Sequence, residues 1–299
     1  MKVRVGFGLG TRTHCNDGQF ADLVDALERL RFDSLWLSER IGGEAPDPVV
    51  GMAFAAGRTT RLKFGTSVLV LPGRNPVVLA KELATLDRLS AGRLLPAFGL
   101  GVADPHEQQG FGVERSERAT WFDEALPLIR RLWLEDEVTH HGARFHYDGL
   151  RVLPKPHQQP PDVWLGGIAP SELRRVGRLS DGWLPSFVTP ADVAAGRRVV
   201  EETAAQHDRA IDPEHFGVLI PYALGEVPAA TTAALAKRRP DLDIADLVPA
   251  GYEALVEHIG AFVNEGFSKF VVIPLVEPPS GSWPEHLAEL AEAVLAVQT

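Results

Sequence analysis

Eight apolar runs alternate with eight stretches of helical period, and this alternation restricts the fold more than any other feature of the chain. The runs lie at residues 3–10, 33–38, 62–71, 93–101, 163–166, 181–184, 216–223 and 270–275. They are apolar throughout rather than alternately polar, as befits strands buried on both faces. The stretches between them, at 22–31, 48–58, 75–89, 119–134, 171–179, 191–207, 252–265 and 285–297, gather apolar residues on one helical face. Leu23, Leu27 and Leu30 do so in the first, and Leu79, Leu83, Leu86 and Leu89 in the third. Asn75-Pro76 supplies a helix-start signal. Eight strand–helix units predict a (β/α)8 TIM barrel with insertions, and a doubly wound open sheet is the competing arrangement. The chain has 299 residues, and one such barrel takes about 250 or more. No linker divides it, so residues 1–299 are expected to form a single domain.

Three places fit the alternation less well. Pro127 lies inside the stretch 119–134, where a missing N–H and a clashing ring predict a kink or an early break. Residues 140–161, rich in His, Gly and Pro, read as an extended surface connection. Residues 226–246 are Ala-rich and polar, with no clear period.

Charge excludes some partners. With 30 basic and 40 acidic residues the net charge is −10, which argues against nucleic acid and against a polybasic membrane-surface role. No apolar run reaches the ~18 residues of a spanning helix. The opening MKVRVGFGLG is too short and glycine-broken for a signal segment. A cytoplasmic protein without a membrane partner is the expectation. The lone cysteine, Cys15, precludes an intrachain disulfide and a cysteine-based metal cluster. His140, His141 and His146 sit in the irregular stretch without an HExxH pattern, so no metal is expected.

In a barrel of this kind chemistry gathers at the C-terminal ends of the strands. Those ends carry His14 after the first strand, Glu39 and Arg40 after the second, and Asp104, His106 and Glu107 after the fourth. Each, taken alone, fits a solvated or structural role better than catalysis, and their gathering on several strand ends favours a shared cavity. His14 is the candidate general acid, since an ordinary imidazole titrates near neutral pH. Gly99-Leu100-Gly101 lets a planar ligand approach the backbone. The run Gly166-Gly167-Ile168-Ala169-Pro170-Ser171 leaves a strand and opens a helix. Its open N–H groups suit an anion such as phosphate, and a plain tight turn needing glycine reads equally well.

The run Gly65-Thr66-Ser67-Val68-Leu69-Val70-Leu71-Pro72, with Asn75-Pro76, Lys81 and Leu86-Asp87-Arg88-Leu89-Ser90, resembles the bacterial-luciferase-like oxidoreductases. Leu132-Trp133, Pro154-Lys155-Pro156, Val163-Trp164-Leu165-Gly166-Gly167 and Asp181-Gly182-Trp183 are similar to the same superfamily and follow in its order over residues 1–185. The resemblance implies a barrel binding coenzyme F420, or alternatively FMN, and acting on a small-molecule substrate. It implies a homodimer by analogy. It implies a cis peptide at Ser67–Val68, with Ser67, Val68 and Val70 against the cofactor ring. Gly99 and Gly101 would approach the cofactor, and Gly166, Gly167, Ile168 and Ala169 would hold its phosphate. Three readings follow: an F420-dependent hydride transfer, an FMN-dependent monooxygenase, and a flavin-binding barrel without turnover. The sugar-phosphate dehydrogenase branch ends its second strand in Asp-His and places a Glu after the strand-four Gly-x-Gly. Here Glu39-Arg40 and Val102 stand in those places, which argues against sugar-phosphate oxidation. Catalytic roles then fall to His14, Glu39 and Arg40.

Overall fold

The structure is a computed structural model that describes residues 1–11, 13, 15, 18–278 and 281–299. In chain order its first half comprises β1 (Arg4–Leu9), α1 (Gln19–Leu30), β2 (Ser34–Leu37), α2 (Pro48–Arg58), β3 (Lys63–Thr66), β4 (Leu69–Val70), α3 (Pro76–Leu89), β5 (Leu94–Leu95), β6 (Ala97–Gly99), α4 (Pro105–Phe111) and α5 (Arg118–Leu134). The second half adds β7 (Val138–His141), β8 (His146–Leu150), β9 (Trp164–Leu165), α6 (Pro170–Leu179), β10 (Gly182–Trp183), α7 (Pro190–Ala205), β11 (Gly217–Tyr222), α8 (Ala229–Arg238), α9 (Tyr252–Asn264), β12 (Lys269–Pro274) and α10 (Trp283–Val294).

Ten of these strands pair in parallel, in the orders β11-β12-β1-β2-β3-β5 and β10-β9-β6-β4. The two ladders are parts of one. β3 and β4 are a single stave interrupted at Ser67-Val68, and β5 and β6 a single stave interrupted at Pro96. On the opposite side the parallel bridges Trp183–Phe216 and Ser186–Leu219 carry β10 to β11. The eight staves therefore form the (β/α)8 barrel, with the open sheet as the discarded alternative.

The lower barrel is filled by a cluster of Trp36, Ala97, Trp164, Leu184, Leu219 and Val271. The neighbouring staves give the two indoles room through glycine. A Cβ at Gly65 would stand 2.7 Å from the Trp36 ring, and one at Gly182 2.6 Å from Trp164. Burying side chains of this size contributes about 1.5–3 kcal/mol each. Below them Lys269 Nζ meets Asp33 Oδ2 at 2.9 Å, and Lys63 reaches the other oxygen at 3.5 Å. Burial alone raises the Asp33 pKa, but Lys269 and Lys63 hold it below the usual carboxylate range.

Three places differ from or add to the sequence reading. α5 continues through Pro127 with no early break. Its face, with Phe122, Leu126, Ile129 and Trp133, is buried on the barrel, and Trp133 Nε1 donates to Ala80 O at 3.0 Å, so tertiary packing outweighs the local penalty. The stretch read as irregular contains an antiparallel hairpin, β7 with β8. Glu124 pins it, accepting from the N–H groups of Arg144 and Phe145 at 3.0 and 2.9 Å and facing His140 Nε2 at 3.1 Å. The segment without an assignment holds α8 over the barrel mouth, where Leu235 packs with Ala223, Leu247 and Val248 in a separate small core.

No described helix is long and apolar enough to cross a membrane. Among the described residues no group of three or more His, Cys, Asp or Glu is placed to hold a metal ion.

Candidate active site

A cavity of about 570 Å³ opens at the C-terminal ends of the staves, within the size range of small-ligand sites. Its back wall is apolar and low. Val68 lies across Gly99, so that a Cβ there would stand 2.4 Å from Val68 Cγ2. At Gly101, whose φ of +80° suits glycine, a Cβ would stand 3.1 Å from Val70 Cγ1. At Gly166 it would stand 3.3 Å from the carbonyl oxygen of Leu184. Three glycines thus let two valines and three lengths of backbone form one smooth face. The Ser67–Val68 peptide is cis, as the resemblance implied.

The wall is tied to the end of β2. Glu39 N–H donates to Val68 O at 3.3 Å, and Ser38 Oγ donates to Ser67 O at 3.0 Å. Val70 N–H donates to Glu39 Oε2 at 2.6 Å, while Arg74 Nε donates to Val70 O at 3.0 Å. The guanidinium of Arg74 also pairs with Glu39 Oε1. Burial pushes the Glu39 carboxyl above its ordinary range, and Arg74 with the Val70 N–H offsets only part of that rise. With both oxygens accepting, this carboxylate is built to hold backbone.

Arg40 points the other way along the rim. It donates to Asp104 Oδ2 at 2.9 Å and lies 3.7 Å from Glu107. Glu107 is buried and accepts from the N–H groups of Ile41 and Gly42 at 3.2 Å each, which fastens α4 to the loop after β2. Asp104 caps α4 through the N–H of His106 at 2.9 Å.

The structure thus brings Glu39, Arg40, Ser67, Val68, Val70, Gly99, Gly101, Gly166, Gly167 and Ile168 onto one cavity wall, with Ala169 just outside the lining. His14 lies outside the described residues. One expectation about the fifth loop is corrected. The N–H groups of Ile168 and Ala169 are not open, because both donate to Glu172 Oε2 at 3.0 Å. An acid three residues after a helix N-cap is the sequence signal for such a reach back, and Glu172 occupies that position after Ala169. Sequence reasoning also missed Arg74, Ser38 and Arg238. Arg238 reaches the lining from α8, the segment without a clear period.

The family model of luciferase-like monooxygenases matches residues 8–263. An F420-dependent glucose-6-phosphate dehydrogenase of Kineococcus radiotolerans is 32% identical over 177 residues, 56% of this chain and 52% of that protein. The chain spans about half to three-fifths of the length of the curated relatives it matches first. Among solved structures, an F420-dependent secondary alcohol dehydrogenase superposes with a TM-score of 0.82 at 19% identity, covering both chains in full. The oxygenating constituent of 3,6-diketocamphane monooxygenase of Pseudomonas putida, in complex with FMN, gives a TM-score of 0.77 at 16% identity over 98% of each chain. These superpositions establish the fold.

Proposed function

The chain belongs to the luciferase-like monooxygenase family, and from that premise we propose that it is an oxidoreductase passing a hydride between coenzyme F420 and a small organic substrate. The observation that carries this reading is the wall of Val68 and Val70 over Gly99 and Gly101, facing a cavity of about 570 Å³ at the strand ends. The choice of F420 draws support from the relatives named for that coenzyme.

The bound deazaflavin would supply or accept the hydride at its central ring. Ser67, Val68 and Val70 would back the ring, and Gly99, Gly101 and Gly166 would let the backbone meet it closely. Gly167, Ile168 and Ala169 would border the arm of the cofactor. Glu39 and Arg74 hold the wall by both polar groups of Val70, so the ring face stays fixed while the substrate is exchanged. In this reading Glu39 accepts hydrogen bonds and Arg40 keeps α4 against the rim. His14 is the proton donor or acceptor for the substrate oxygen. Glu39-Arg40 and Val102, in place of the acid–base pattern of the sugar-phosphate branch, favour a substrate other than a sugar phosphate.

Reaction with oxygen through FMN is the second reading, favoured by the likeness in fold to the FMN-bound monooxygenase constituent. Anaerobic mixing with reduced F420 and a panel of ketones and enones tests the first. Oxidation of the cofactor with stoichiometric reduction of one acceptor supports it. Turnover only with reduced FMN and oxygen replaces it with the second.

A further inference from the structure

A second pair of glycines lies at the end of β1. A Cβ at Gly8 would stand 2.7 Å from Ile273 Cγ1. One at Gly10 would stand 3.6 Å from Ile273 Cγ2 and 3.5 Å from Thr13 Oγ1. Ile273 therefore lies across β1 much as Val68 lies across Gly99, and both side chains rest on the lower cluster that includes Trp36 and Leu219. Leu184, Leu219, Pro221, Ile273 and Leu275 all line the cavity, so the ends of the last three staves present an apolar surface. Thr13 adds one hydroxyl at its edge. The residue lines the cavity beside Gly10, it is only 7% exposed, and among the described residues none is hydrogen-bonded to its Oγ1. Its N–H donates to Gly10 O at 3.0 Å, which ties the turn that carries it to β1. A buried hydroxyl without a partner is costly, and a ligand oxygen brought to it removes that cost.

Most charges of the lining are already engaged. Glu39 holds Arg74 and the Val70 N–H, and Arg40 meets Asp104. Arg175 meets Asp123 at 2.7 Å, and Glu107 and Glu172 accept from backbone N–H groups. The other two charged residues of the lining, Arg238 and Glu277, are exposed. A charge set down on the apolar surface would find no counter-ion there among the described residues, and an unpaired buried charge is strongly disfavoured.

Resting on the reading of a hydride transfer in this cavity, we propose that the Thr13 hydroxyl binds the substrate oxygen, and that the substrate is an uncharged ketone or secondary alcohol whose carbon substituents lie on Leu219, Ile273 and Leu275. In the reducing direction hydride adds to the carbonyl carbon and the π pair moves onto the oxygen. That oxygen takes the proton assigned above to His14, and the cofactor is left oxidised. Thr13 donates a hydrogen bond to the oxygen and keeps its own proton. The bond strengthens as charge grows on the oxygen, so it favours the transition state over the bound ketone.

The test compares butyl methyl ketone with 2-oxohexanoate, which carries a carboxylate where the ketone has its methyl group. Each is titrated into the chain loaded with oxidised F420, where no hydride can move, and binding is followed by cofactor fluorescence. Each is then turned over anaerobically with reduced F420. The ketone is expected to bind, and to exceed the oxo acid in kcat/KM by about a hundredfold. Thr13→Val is expected to weaken ketone binding and to lower kcat/KM by about tenfold or more, with the Kd for F420 held within about twofold. Thr13→Ser is expected to recover most of both. If Thr13→Val handles the ketone as the wild type does, if Thr13→Ser fares no better than Thr13→Val, or if F420 affinity falls as far as ketone affinity, the contact is refuted. If the oxo acid matches the ketone, or the F420-loaded chain takes neither, the substrate class is refuted while the cofactor reading stands. A wild-type chain that binds no F420 overturns that reading, and the inference with it.

Discussion

Glu39 and Arg74 close on Val70 from both sides. The carboxylate takes the Val70 N–H at 2.6 Å and the guanidinium donates to its carbonyl at 3.0 Å, while the two charges pair with each other. One ion pair between the end of β2 and the turn before α3 therefore sets where the cavity wall stands.

Arg74→Ala leaves Glu39 buried without its charge partner. The expected loss of stability is about 2 kcal/mol, read from denaturant midpoints. Arg74→Lys keeps a charge near Glu39 but cannot hold the carbonyl as well. It is expected to recover most of the stability and less of the cofactor affinity. Equal recovery of both would mean that the pair acts on stability alone.

Gly99→Ala drives a methyl to within 2.4 Å of Val68 Cγ2, so Val68, which lines the cavity, must shift. Cofactor affinity is expected to fall about tenfold, with the barrel still folded by circular dichroism. Gly166→Val is expected to act in the same direction, since its Cβ already stands 3.3 Å from Leu184 O. Unchanged affinity in both folded variants would remove the wall from the account.

Acid should destabilise the protein through His286. Tyr222 OH lies 2.6 Å from His286 Nε2 in the core, and burial pushes this imidazole down to about 4. In the unfolded chain an ordinary imidazole takes up its proton near pH 6.5. Its folded pKa is the lower one, so between these values the unfolded chain binds more protons. The contribution is complete above about pH 6.5 and falls away as pH drops toward 4, by about 3 kcal/mol at most. Melting temperatures measured between pH 7 and 4.5 should decline in the wild type and less steeply in His286→Gln. Parallel slopes would contradict the assignment.

The staves were legible because each is a continuous apolar run, and the Ser67–Val68 turn because its neighbours follow a recognisable pattern. The hairpin of β7 and β8 was not. Its exposed strands carry Thr139, His140, His141 and His146, and it is held by Glu124 from a helix one segment earlier. α8 was hidden by an Ala- and Thr-rich composition with only Leu235 buried, so no face stood out. Arg238 went unseen with it. Arg74 was overlooked because nothing local marks a residue whose partner, Glu39, is 35 positions away. The glycines of the fifth loop were legible as a turn, but the fate of its N–H groups depended on one side chain's reach, that of Glu172.

The central claim is that this cavity takes a deazaflavin. Titrating the purified chain with F420 and with FMN at equal concentrations, under identical salt and pH, tests it most directly. Saturable binding of F420 at lower concentration than FMN is the predicted result. Saturation by FMN without measurable binding of F420, or binding of neither, would contradict it.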